Sequence, residues 1–74
     1  MPFIHVYAYS GRDKEAKQKL TEEMVNAAAE AIGAPKSAFT VAYTDVDKEN
    51  WDKDMKPVVD ALGDKVIMRS GELV

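Results

Sequence analysis

The chain has 74 residues and a mass of 8.2 kDa. A polypeptide of this size buries only about 60% of the surface its unfolded form exposes, so residues 1–74 are read as one small domain and a two-domain enzyme is excluded. Cysteine is absent, which removes disulfides and thiolate metal sites, and 10 basic against 13 acidic side chains give a net charge of -3, the wrong sign for gripping a phosphate backbone.

No apolar run approaches the roughly 18 residues of a membrane span, and Met1-Pro2-Phe3-Ile4-His5 lacks the basic start and apolar core of a signal peptide. Neither a nucleic-acid nor a membrane partner is expected, and the cytoplasm is the expected compartment. Residues Phe3 to Tyr9 alternate, with Ile4, Val6 and Ala8 on one face and Phe3, His5, Tyr7 and Tyr9 on the other, which predicts a strand. Ser10-Gly11-Arg12-Asp13 breaks the alternation, and the Asp13 carboxylate is suited to cap a helix over residues 13–32. The apolar residues Ala16, Leu20, Met24, Ala27, Ala28 and Ala31 recur at spacings of three and four and predict the stripe that faces a sheet. Gly33 stops the helix and Pro35 prevents its continuation.

Phe39 to Val46 alternates again, so the order is strand, long helix, strand, and a crossover of that length makes the two strands parallel with a right-handed connection. The acidic stretch from Asp45 to Asp54 reads as a solvated loop around Asn50-Trp51. Pro57 restricts any following helix to a short segment, Pro57 to Leu62. Val66 to Arg69 reads as a short strand and Ser70-Gly71 as a turn. The fold class is therefore α/β (α+β), a β-α-β unit with two parallel strands and a long crossover helix. Two strands and one helix leave a bare sheet edge, so sheets are expected to join between copies of the chain.

The residues that carry a resemblance are Pro2 directly after the initiator, Gly11-Arg12, Glu15, Lys17 and Leu20 after the first strand, Ala34-Pro35, and Asn50-Trp51 beyond the second. Over Pro2 to Trp51, without a gap, the chain resembles the 4-oxalocrotonate tautomerase family. The resemblance implies a cofactor-independent isomerase that acts on a 2-keto acid or its enol. Met1 would be removed, and Pro2, then an N-terminal secondary amine, would be the general base. An α-amino group ordinarily titrates near 7.7 to 8.0, close to the working pH that suits a base. The structural alternative for Pro2 is the start of a strand, where a missing amide costs little.

By the same resemblance Arg12 is both catalytic and substrate-binding. Its planar fork would grip the substrate carboxylate or stabilise an enolate, whereas the plainer reading is a surface arginine paired with Asp13 or Glu15. Trp51 stands where the family carries a pocket aromatic, and Phe3 and Phe39 would complete an apolar lining. Thr40 stands where tautomerases of dicarboxylated dienols carry a second arginine, so a monocarboxylated enol such as phenylenolpyruvate is the expected substrate and 4-oxalocrotonate a poor one. No metal and no cofactor is expected, since the single His5 within a strand offers no ligand cluster. The partner expected is the chain itself, as a homohexamer or alternatively a homodimer. The competing functions are a non-enzymatic oligomer, silent if Met1 is retained, and the related dehalogenase or decarboxylase chemistry, which usually needs further arginines.

Overall fold

The computed structural model describes residues 1–74. Strand β1 is Phe3–Tyr9, helix α1 Lys14–Ile32, strand β2 Thr40–Val46, helix α2 Trp51–Leu62, and strands β3, Met68–Arg69, and β4, Glu72–Leu73, close the chain. β1 and β2 are parallel, in register from Phe3 opposite Thr40 to Tyr9 opposite Val46. The ladder continues past both ends, with the Thr40 amide donating to the Pro2 carbonyl at 3.1 Å and the Ser10 amide to the Val46 carbonyl at 3.0 Å. These are the strand, helix and parallel strand expected from alternation and crossover length, and the architecture is a β-α-β unit with a short tail hairpin.

The caps of α1 lie where the residue types place them. Asp13 accepts from the Ala16 amide at 2.8 Å, and Gly33 takes the left-handed conformation, φ 69°, that glycine adopts without a Cβ penalty. The expected buried stripe is corrected. The side of α1 turned to the sheet carries Lys17, Thr21, Met24, Val25, Ala28 and Ala29, whereas Leu20 is 42% exposed and Ala16, Ala27 and Ala31 lie in solvent. Lys17 accounts for the rotation. Its ammonium meets the Asp45 carboxylate at 2.5 Å and sits 5.0 Å from the centre of the Tyr43 ring, so a charged residue with an apolar stem takes a core-facing place.

The region after β2 also departs from expectation. Residues 45–54 form no long loop. β2 runs through Asp45 to Val46, a single tight turn spans Lys48–Asn50, and α2 begins at Trp51 with Pro57 inside it. Proline normally breaks a helix interior by removing a donor and crowding the carbonyl four residues earlier. Here that carbonyl belongs to Lys53, and Lys53 and Pro57 both lie on the exposed side of α2, where water can satisfy it. The opposite side carries Trp51, Met55, Val58, Val59 and Leu62, one apolar stripe at helical spacing, and Met55 is buried to 6% exposure.

The tail strand is shorter than Val66 to Arg69 and finds its partner within the chain. Met68 pairs with Leu73 and Arg69 with Glu72 across Ser70-Gly71, whose φ values of 52° and 82° are those of a tight hairpin turn. Only Val25, Val46 and Met55 are buried, while Ile67, Met68, Leu73 and Val74 are largely exposed. No helix is long and apolar enough to cross a membrane.

Candidate functional site

In-register residues of parallel strands share a face, so Phe3, His5, Tyr7 and Tyr9 lie with Thr40, Ala42, Thr44 and Val46 on the side of the sheet away from α1. The contacts agree. His5 Nε2 and Thr44 Oγ1 are 2.7 Å apart, and the His5 and Tyr7 rings stack with centroids 4.1 Å apart. The two ends of this face differ. At the carboxyl end of β1 the Trp51 indole meets the Tyr9 ring edge to face, with centroids 5.0 Å apart and planes at 89°, and Val46 beneath is buried. Toward the amino end the face is open, and Phe3 is 64% exposed.

The structure gathers part of the expected site and separates the rest. Arg12 lies in the turn after β1, and its Nη1 donates to the Tyr9 carbonyl at 3.0 Å, which leaves the other guanidinium donors free. The turn is tied down by the Ser10 hydroxyl, which donates to the Asp47 carboxylate at the end of β2. Arg12, Tyr9 and Trp51 therefore form one cluster. Pro2, Phe3 and Thr40 form another at the opposite end of the strands. A strand rises about 3.3 Å per residue, so the seven residues of β1 hold the two clusters roughly 20 Å apart. Phe39, half-buried and extended, precedes Thr40 and so points to the opposite side of the sheet, toward α1.

From the sequence, Tyr7, Tyr9 and Tyr43 could each donate to an enolate, but none is a candidate site residue, because aromatic residues on a strand usually pack across strands. The position of Tyr9 as the last residue of β1, three before Arg12, is the signal that marks it. No group of histidine, cysteine or acidic side chains is arranged to hold a metal ion. The two surface hollows lie along α1, lined by Lys14, Lys17, Gln18, Thr21 and Glu22 in one case and by charged and amide residues of the same helix in the other. Neither adjoins Pro2 or Arg12.

Comparison with protein-family profiles matches residues 2–54 to the family described as "Tautomerase enzyme". Among curated proteins, the chain is 43% identical over 51 residues to a 2-hydroxymuconate tautomerase of Comamonas testosteroni, covering 69% of this chain and 81% of that protein. It is 39% identical, over the same shares, to a 2-hydroxymuconate tautomerase of Pseudomonas putida. A probable tautomerase of Xylella fastidiosa (strain 9a5c) is 29% identical over 72 residues, covering 96% of this chain and 88% of that protein, and so extends the likeness through the tail. No solved structure gives a significant match. With a profile match that starts at Pro2 and takes in both strands, α1 and the first turn of α2, the chain belongs to the tautomerase family of enzymes.

Proposed function

We propose that the chain is a cofactor-independent keto-enol tautomerase of 2-keto acids, with Pro2 as the base once Met1 is removed and Arg12 as the carboxylate anchor. The observation that carries this reading is the family match that begins at Pro2. Met1 is fully exposed and open to removal. The freed secondary amine would take the proton of the enol hydroxyl. As that O–H bond breaks, the oxygen becomes a carbonyl, and the C=C electron pair takes a proton at the neighbouring carbon from the resulting pyrrolidinium.

Two ends of one strand cannot serve one small substrate, so the site is read as shared between copies. The outer edge of β1 is unpaired. Antiparallel pairing of two such edges sets Pro2, Phe3 and Thr40 of each chain against Tyr9, Arg12 and Trp51 of the partner subunit. The surface supports association. The chain exposes 5917 Å², whereas a compact monomer of its mass exposes roughly 4,500 Å². Its radius of gyration is 13.7 Å, against about 11 Å for a compact chain of this length.

The excess of about 1,400 Å² is more than the roughly 800 Å² that one standard interface takes from each partner. An area of that size leaves room for a second interface per chain, and the reading preferred is a hexamer of three dimers, with a plain dimer as the alternative. The exposed flank of α1, with Ala16, Leu20, Ala27 and Ala31, and the apolar tail are the surfaces available for a second interface.

The substrate proposed is a monocarboxylated enol. Arg12 supplies one guanidinium, and Thr40, at the Pro2 end, supplies only a neutral hydroxyl. The test is ketonisation of phenylenolpyruvate by protein whose intact mass shows loss of Met1. Pro2→Ala should lower kcat on the order of a hundredfold, because alanine keeps an amine but loses the ring that orients it. A Pro2→Ala protein as active as the parent would remove the base assignment.

A further inference from the structure

Tyr9 touches two residues of the candidate site: its carbonyl accepts from Arg12 Nη1 at 3.0 Å, and its ring meets Trp51 edge to face. The chain's hydrogen bonds leave its hydroxyl without a protein partner, and the residue is 43% exposed, so the hydroxyl is free for a ligand. Two other side-chain donors near the turn are engaged. The Ser10 hydroxyl is given to Asp47, and the Lys17 ammonium to Asp45. Asp13 is itself an acceptor, used by the cap of α1.

A 2-keto acid or its enol carries an oxygen on the carbon next to the carboxylate. A group that recognises this oxygen must stand beside the group that grips the carboxylate. We infer that the Tyr9 hydroxyl is that donor: it hydrogen-bonds the substrate oxygen next to the carboxylate held by Arg12 and sets the preference for 2-oxygenated monoacids. The inference rests on the reading of Pro2 and Arg12 given above. Its role is to stabilise charge that grows on the oxygen as the enol proton leaves, so the phenol keeps its proton throughout and no bond to it is made or broken. A neutral donor here supplies part of what a second arginine would supply, without favouring a second carboxylate.

The test is Tyr9→Phe, which removes the hydroxyl and retains the ring against Trp51. With phenylenolpyruvate, kcat should fall about tenfold with KM changed less than twofold, the size of one neutral hydrogen bond made in the transition state. Trp51 emission should be unchanged. A kcat within twofold of the parent overturns the inference and leaves the indole N–H of Trp51 as the donor at this end.

Pro2→Ala separates the two layers. If it is impaired and Tyr9→Phe is not, the hydroxyl assignment fails alone; if Pro2→Ala is fully active, the underlying reading fails and the Tyr9 inference with it.

Discussion

Residues 3–46 and residues 51–74 meet the demand for burial in opposite ways. In the first segment two seven-residue strands share a full ladder, α1 is capped at both ends, and Lys17 ties helix to sheet through Asp45. In the second, α2 and the β3–β4 hairpin are local elements, yet Val58, Leu62, Ile67, Met68, Leu73 and Val74 remain exposed. Only Met55 goes fully under cover, and the one aromatic contact between the segments is that of Trp51 with Tyr9. The difference teaches that the β-α-β unit is specified by contacts inside one chain, while the tail carries apolar surface that one chain leaves unused.

The comparison breaks most visibly if the tail is removed. With Lys65 to Val74 deleted, a hexamer should fall to dimers, about a threefold loss of mass by light scattering, or aggregate through the surfaces left open. Such dimers would mean that the β1 edges still pair when the tail is gone. A full-length protein that is monomeric at micromolar concentration would refute the shared site altogether, since Pro2 and Arg12 would then never meet.

The same division explains what the sequence disclosed. Alternation in Phe3 to Tyr9 and Phe39 to Val46 made both strands legible, and Asp13 and Gly33 marked the ends of α1, because those signals are local. The buried side of α1 was misread because Lys17 counted as polar and Val25 was passed over, although a lysine stem and an ion pair can occupy a core-facing place. At α2, Pro57 outweighed the stripe Trp51, Met55, Val58, Val59 and Leu62. The cost of the proline depends on whether the Lys53 carbonyl faces water, and no local rule states that. For the proposed site, resemblance pointed to Pro2, Arg12 and Trp51, but their separation along β1 needed the register, and the contacts that draw attention to Tyr9 needed the fold.

A smaller effect sharpens the view of a pocket assembled from two ends. Thr40 opens β2 beside Pro2, its amide on the Pro2 carbonyl. On the proposed shared site, Thr40→Arg would add a second guanidinium at the end of the pocket away from Arg12. A charge-assisted bond contributes about 1.5 to 3 kcal/mol, so kcat/KM for 2-hydroxymuconate relative to phenylenolpyruvate should rise by one to two decades. An unchanged ratio in a folded variant would place Thr40 outside the pocket.

The smallest effect tests the claim that the β-α-β unit is held by its own contacts. The Lys17 and Asp45 side chains are 28% and 39% exposed, so water and salt weaken their attraction, and a pair in such a setting contributes about 0.2 to 1 kcal/mol. Asp45→Asn should therefore lower stability by less than about 1 kcal/mol in urea unfolding, and the difference should shrink as salt is raised. Lys17→Met removes the charge while keeping an unbranched stem over Tyr43. If the stem matters more than the charge, Lys17→Met should match or exceed the parent at high salt, while Lys17→Ala, which strips the cover from the Tyr43 ring, should be the least stable of the three. Equal stability of Lys17→Met and Lys17→Ala would mean that the ammonium alone turns Lys17 to the sheet, and the rotation of α1 would then rest on charge rather than packing.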